Sequence, residues 1–356
     1  MIKLSELAQK LGGTLQGNGD LAIQGVRDLE LIRVRDPQAM PQKGFIYFVE
    51  SKKNLNAHPE SKDCDALLTT KALAPNFANA IVVEEPQARI AFIKLLELFE
   101  KIPAPQAAEK GAAYIHPMAK VDASAIIMHG AVILEGAVIG AHAVIHPNAV
   151  IEPNVRIGAH TVIHPNVVIK YGCVLGEHCI IHSATVIGAD GFGFFDKDGQ
   201  RYKIPQIGNV VVGNHVEMGS SCSVDRATIE STTIGDYTKF DDQVHVGHNC
   251  QLGKSVIIAG NTVLAGSVIV EDNVTMGGQS AISGKVHLAK GSVVMGMSAI
   301  ATDSKPGTMY FGIPARPARE MHKINGSLVY VPELLKRVAA IEEKLGIERK
   351  EAEDKE

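Results

Sequence analysis

From Ala113 to Asp190 the chain repeats every six residues with nothing inserted, in blocks such as AVIGAH (137–142), AVIHPN (143–148) and TVIHPN (161–166). A branched aliphatic fills the third position of all thirteen blocks, from Ile115 and Val121 through Ile145 and Leu175 to Ile187. The last three positions hold Gly, His, Pro, Asn, Asp or Glu, the residue types of corners. A period of six matches neither the helical 3.6 nor the 2 of a free strand. It suits a short strand plus a corner, with one side chain per strand aimed inward. Three such faces close a coil, so that residue i+18 lies one sheet spacing, roughly 4.8 Å, from residue i. Stacked coils make a parallel β-solenoid. Its register specifies itself, because a one-residue slip would carry His, Asn or Glu into the core.

The repeat stops after Asp190. GFGFFDKDGQRYKIPQIG (191–208) carries rings and charges but no inward ladder, and an excursion of that kind in a regular solenoid points to function. The coil resumes with VVVGNH, VEMGSS and CSVDRA, slips by four residues at Thr228–Ser231, and runs unbroken from Thr232 to Asp303. Residues 1–103 do not repeat. A short helix over Ser5–Leu11, strands near 21–27, 45–49, 66–69 and 80–84, and a helix over Pro86–Glu100 predict a small α/β domain there. Residues 104–112 read as a linker, 113–305 as the solenoid domain, and 306–356 as an extension with an amphipathic helix over Val331–Glu353.

Composition adds limits. A thin prism leaves little room for rings, and the chain has no Trp and only 5% aromatics. A net charge of −4 gives no global field for nucleic acid. The five cysteines (64, 173, 179, 222 and 250) are odd in number and form no C-x-x-C, which favours a reduced, cytoplasmic chain. Met1–Lys10 is polar and does not read as a signal peptide. The apolar stretch 131–151 imitates a membrane span, but Glu135, His142, His146, Pro147 and Asn148 fall at repeat corners, so no transmembrane segment is expected.

Two histidine trios, His142/His160/His178 and His146/His164/His182, are spaced by 18 and should stack in register. A zinc site needs ligands converging at about 2.0–2.1 Å, whereas stacked corners lie a coil apart, so no metal is expected. Gamma-class carbonic anhydrases, a related β-helix family, do bind zinc through histidines between subunits. More specific is VHVGHNC. His248 occupies the fifth position of its block, Asp241 precedes it by seven residues, and 248 + 18 is Gly266. An imidazole beside a backbone N–H with no side chain in the way is the pairing that acyl transfer to an amine or hydroxyl requires.

VGHNCQLG resembles the catalytic segment of the acyltransferases of lipid A synthesis, left-handed parallel β-helices that break the right-handed crossover rule. GADGFGF, KIPQIG, the non-repetitive N-terminal domain and the helical C-terminus are similar to the N-acylating branch of that family. The resemblance implies a homotrimer with sites between adjacent β-helices, and a 3-hydroxyacyl chain carried on acyl carrier protein as donor. The acceptor would be the 2-amine of UDP-3-O-(3-hydroxyacyl)glucosamine, with no cofactor. It makes His248 the general base, Asp241 the residue orienting it and the Gly266 N–H the oxyanion donor. Asp190, Phe192, Lys203 and Gln206 join the substrate-binding residues. In the N-terminal domain Phe48 matches one uracil-stacking ring, with Ser51 and Asn54 where the family has Asn and Tyr. Lys285 stands where members carry His, and Ala299 where they carry a Met closing the acyl tunnel. The basic cluster Arg316, Arg319, His322, Lys323, Lys336, Arg337 could steer the acidic carrier protein. The alternatives are an acetyl-CoA-dependent nucleotide-sugar acetyltransferase and a non-catalytic trimeric sugar-binding scaffold.

Overall fold

The structure, a computed structural model, describes residues 1–27, 41–99, 107, 109 and 112–346. Two compact units divide between Ala104 and Pro105. The segment read as a linker falls largely outside the described residues, as do 347–356.

The first unit is a five-stranded sheet in the order Thr14–Gln16, Ala80–Val83, Ala66–Thr70, Phe45–Val49, Gly25–Val26. The Thr14–Gln16 strand is antiparallel to its neighbour and the rest pair in parallel. Helix Leu4–Leu11 buries Leu4, Leu7, Ala8 and Leu11, an i, i+3, i+4, i+7 stripe, and ends on Gly12 at φ 67°. Helix Ala88–Phe99 adds Ala88, Ala91 and Leu95 to the same core.

The second unit is the solenoid. Two-residue strands stack into three sheets of eleven, ten and nine strands, parallel throughout the coils. The register is the one the spacing dictates: Val144 pairs with Val162, Val150 with Val168, and Val138 with Arg156. The third-position ladder is buried, with Ile133, Ile145, Ile151, Ile163 and Ile181 at 0% exposure. Each two-residue strand turns one side chain inward, as in Val138–Ile139 and Val144–Ile145, and the corner before it adds a second. First positions also point inward, and Ala131, Ala143, Val155, Cys173 and Cys179 are at 0% as well. The first residue is small because it turns the corner inside the prism. The sixth position closes most corners in the left-handed region, as at Asn148 (φ 60°), His160 (φ 57°) and Asn249 (φ 61°). Asn tolerates that conformation, and the coil below accepts its N–H, as in His160 N–H to Ala141 O at 2.8 Å.

The excursion contains an antiparallel hairpin, Phe194–Lys197 with Gln200–Lys203. Its base is pinned by Arg226, which has 0% exposure. That guanidinium donates to Gly188 O (2.8 Å), Gly208 O (3.0 Å) and Tyr171 O (3.0 Å), and lies 3.6 Å over the Tyr171 ring. Arg226 thus ties together the chain entering and leaving the loop. After the solenoid come helices Ala318–Leu328 and Val331–Leu345. The latter buries nothing within the chain; Leu334, Leu335, Val338, Ile341 and Leu345 are 46–67% exposed. Among the described residues no helix is long and apolar enough to cross a membrane.

Candidate active site

His248 and Asn249 form one corner, held from above by Ser267 N–H to His248 O (2.8 Å) and from below by Asn249 N–H to Thr232 Oγ1 (2.9 Å). The Asn249 amide has only one workable orientation. Its Oδ1 accepts the Thr228 N–H at 3.0 Å and its Nδ2 donates to Ile229 O at 3.2 Å. The four-residue slip at 228–231 supplies both contacts, so the irregularity serves the site. His248 Nδ1 lies 3.1 Å from the same Oδ1. An oxygen that already accepts one proton can only accept another, so Nδ1 must carry the hydrogen. Nε2 is left with its lone pair outward, the form a general base needs.

Gly266 stands directly against that nitrogen. A Cβ built on it would sit 2.5 Å from His248 Nε2 and 2.7 Å from Cε1. Its neighbours spend their N–H groups on the adjacent coils, Ala265 on Ile282 O of the next and Ser267 on His248 O of the one before. The Gly266 N–H has no acceptor within the chain among the described residues. The +18 spacing therefore brings together an imidazole and an open amide.

Asp241 is a correction. Its Oδ2 accepts the Gly260 N–H at 3.0 Å and its Oδ1 the Asp242 N–H at 2.8 Å, so it buttresses a different corner. Seven residues of separation, with three consecutive faces each six long, carry a residue to the next edge of the prism. Within the chain, the orienting contact falls to Asn249. Sequence reasoning also passed over Asp225, whose side chain is 9% exposed and whose Oδ2 lies 3.8 Å from His245 Nε2.

The excursion folds against His248. A Cβ on Gly191 would meet His248 Cβ at 2.5 Å and Gln206 Oε1 at 2.9 Å. Asp190 and Lys203 pair with each other across the loop, and the ammonium holds the carboxyl below the usual carboxylate range. Gln206, 4% exposed, accepts the Thr228 hydroxyl at 2.9 Å and donates to Ile204 O at 3.0 Å, so its amide is committed to the loop wall. Phe192 is 85% exposed and meets only the edge of Phe194, centroids 5.1 Å apart. Lys285 tops the corner two coils above Asn249, donating its N–H to Gly266 O at 3.1 Å. Ala299 ends an outward column on the second face, His245–Val263–Ala281–Ala299, joined in register.

In the first unit Phe48 stacks on Phe92 (centroids 4.4 Å, planes 8° apart), so one ring face is already occupied; the side chain of Asn54 lies outside the described set. The histidine trios stack as spaced, and the first continues through His215 to Tyr237, with successive rings 4.7–4.9 Å apart. No group of three or more His, Cys, Asp or Glu side chains among the described residues could hold a metal ion. All five cysteines are free and buried. Burial pushes the Cys250 thiol up to about 11 and, with nearby acids, Cys64 up to about 12. In the basic C-terminal cluster Arg316 is spent on Glu320 at 3.2 Å.

Known proteins resemble the chain at each of these levels. The family model described as bacterial transferase hexapeptide (six repeats) matches residues 136–171, 154–189 and 231–266. A Coxiella burnetii protein named UDP-3-O-acylglucosamine N-acyltransferase is 33% identical over 341 residues, 95% of this chain and 96% of that protein. A protein of the same name from Leptospira biflexa is 48% identical over 172 residues, 47% of this chain; the match spans about half of that relative, 49%. Among solved structures, an Arabidopsis UDP-N-acetylglucosamine acyltransferase superposes with a TM-score of 0.53 at 25% identity, covering 61% of this chain and 76% of that one.

Proposed function

The chain belongs to the UDP-3-O-acylglucosamine N-acyltransferases, and from that premise we propose that it moves a 3-hydroxyacyl chain from acyl carrier protein to the 2-amine of UDP-3-O-(3-hydroxyacyl)glucosamine in lipid A synthesis. His248 is the general base. As the amine attacks the thioester carbonyl, Nε2 takes a proton from nitrogen while Asn249 holds Nδ1–H. The Gly266 N–H meets the oxyanion, an interaction stronger in the tetrahedral state than with the ground-state carbonyl. Collapse breaks the C–S bond, and the imidazolium returns its proton to the departing thiolate, leaving an amide and a free thiol.

The observation that carries this reading is the Nε2–Gly266 juxtaposition: 2.5 Å to a built Cβ leaves room for a backbone donor and nothing more. An acyl-enzyme on cysteine has no support, since all five thiols are buried and Cys250, the one next to the catalytic corner in sequence, is pushed up to about 11. A long chain rather than acetyl suits the column from His245 to Ala299, whose Val263 is 43% exposed. The trimer, the docking of the carrier protein on the C-terminal cations and a uridine contact at the free face of Phe48 belong to the same proposal. Free thiols fit a cytoplasmic site of action.

The test is product mass spectrometry with purified protein, acyl–acyl carrier protein and UDP-3-O-acylglucosamine. An amide product gaining one 3-hydroxyacyl unit is expected. Turnover of acetyl-CoA without carrier-protein dependence, or no transfer by a folded protein, would refute the assignment.

A further inference from the structure

The base is flanked by a neutral partner, which leaves a charge unaccounted for. When His248 takes a proton it becomes a cation, and Asn249 can orient a cation but carries no charge to balance it. Elsewhere around the corner the charges are already paired or distant. Asp190 is held by Lys203, and Asp241 by two N–H groups of another corner.

Asp225 is the exception. It ends strand Ser223–Asp225, which lies between strand Val186–Ala189 and strand His245–Val246. Its side chain is 9% exposed, and no hydrogen bond reaches its carboxylate within the chain among the described residues. Such a group is expensive to bury. His245 Nε2 is 3.8 Å away, and because Ser223 pairs with His245 and Val224 with Val246, Asp225 lies at the register of Gly247, one residue before His248; the charges that act on it are those of His245, His248 and Asp190. Burial lifts its carboxyl above the usual range, Asp190 lifts it further, and the two imidazoles pull it back down. Arg226, next in sequence, spends its guanidinium on the carbonyls of Gly188, Gly208 and Tyr171.

We infer that Asp225 is the counter-charge of the active site, a positioning residue that acts through His245 and His248 by stabilising the imidazolium His248 becomes during transfer. It rests on the reading of His248 as the base. Nearly buried and without a hydrogen bond among the described residues, the carboxylate gains most when a proton arrives on the neighbouring rings, the arrangement expected of a group selected for an intermediate state. His245, 3.8 Å away, shares the carboxylate and limits how much of its field reaches His248.

The experiment follows the ring carbons of 13C-labelled histidine through a pH titration of the full-length protein, with the His248 signal assigned by its loss in His248→Ala. In Asp225→Asn, which keeps shape and removes charge, the His248 midpoint falls by about one pH unit. The acid limb of kcat/KM moves down by the same amount, and the plateau kcat drops about tenfold or more. An unmoved midpoint overturns the inference, whatever happens to the rate, because a merely structural aspartate would lower activity without shifting that titration. If Asp225→Asn misfolds, His245→Gln carries the test. With the competing ring gone the His248 midpoint rises, and a fall or no change overturns the inference. Absence of transfer by the unmodified protein would sink the acyltransferase reading alone, since the titration needs no substrate.

Discussion

His248 Nε2 and the α-carbon of Gly266 lie so close, one coil apart, that a methyl group on the glycine would come within 2.5 Å of the nitrogen. Gly266 is not held at positive φ, so alanine there is strained by the ring and not by the backbone. Gly266→Ala should fold normally and push the imidazole off its line. A displacement near 1 Å at a reacting group costs about 100-fold in rate, so kcat is expected to fall by at least that, with melting temperature nearly unchanged. Full activity in this variant would show that the two residues do not work together.

Removing the His248 imidazole is the companion experiment. His248→Ala should lower kcat by roughly 10²–10⁴-fold, the range of general acid–base contributions, with the solenoid intact because His248 is half-exposed and its backbone makes the coil-to-coil bond. Circular dichroism and turnover measured on the same preparation separate this from unfolding.

Asn249 tests the tautomer argument by pH. Asn249→Asp keeps an acceptor for Nδ1–H and for the Thr228 N–H but loses the donation to Ile229 O and adds a negative charge. A nearby anion favours the protonated ring, so the acid limb of kcat/KM should move to higher pH. Asn249→Ala removes every side-chain contact and should cost roughly 100-fold or more, as losing the orienting partner of a catalytic histidine does. A pH–rate profile of both variants decides the matter.

These predictions show where counting along the chain succeeds. Residues 248 and 266 belong to an uninterrupted run of hexads, so simple addition locates one above the other. Asp225 lies before the four-residue slip, and its strand pairs with the next at a separation of 22, Ser223 opposite His245. Adding 18 to 225 therefore points nowhere useful. The first histidine ladder likewise continues where adding 18 does not lead, to His215 across the 191–208 excursion and to Tyr237 across the slip. Asp241 was misjudged by nearness in sequence, which in a three-sided coil is a poor guide to shared edges. The helix Val331–Leu345 was legible from its stripe, but periodicity cannot tell what the stripe faces.

The loop staple has its own stability signature. Arg226→Met keeps the aliphatic bulk but strips donors from three carbonyls, that of Gly188 buried and those of Gly208 and Tyr171 partly so. Orphaned acceptors cost about 1–3 kcal/mol each, and partial relaxation should leave a net loss of roughly 2–5 kcal/mol. Proteolysis should cut between 191 and 207 well before the coils are attacked. Equal resistance of loop and solenoid would mean that Arg226 does not secure the excursion.

The second histidine ladder should make stability depend on acid. Burial holds His146 below its usual value, and burial with the charges of His146 and His182 does the same for His164. A ring depressed in the folded state binds fewer protons there than when unfolded, so folded stability is fully present above the unfolded value, about 6.5, and declines as pH falls from there toward the depressed folded values. Replacing His146 and His164 together with Asn, which tolerates the corner, should flatten that decline. Melting curves from pH 7.5 to 5 provide the measurement. Because both rings sit at corners and are only partly buried, the change in slope and not its size is the diagnostic.

Chain length should be set on the second face. The column above His245 narrows from Val263 to Ala281 and Ala299, two methyl-sized side chains one coil spacing, about 4.8 Å, apart. A donor chain lying along this column meets no bulk there, so long 3-hydroxyacyl donors should be accepted. Ala299→Met would fill the end of the track. Since a pocket discriminates a methylene by roughly 10–200-fold, the ratio of kcat/KM for long over short donors should fall by at least tenfold while turnover of short donors is kept. Competition between acyl carrier proteins loaded with C12 to C18 chains reads this directly. A sharp cutoff at C12 in the unmodified protein, or an unchanged ratio in Ala299→Met, would place the end of the acyl track elsewhere.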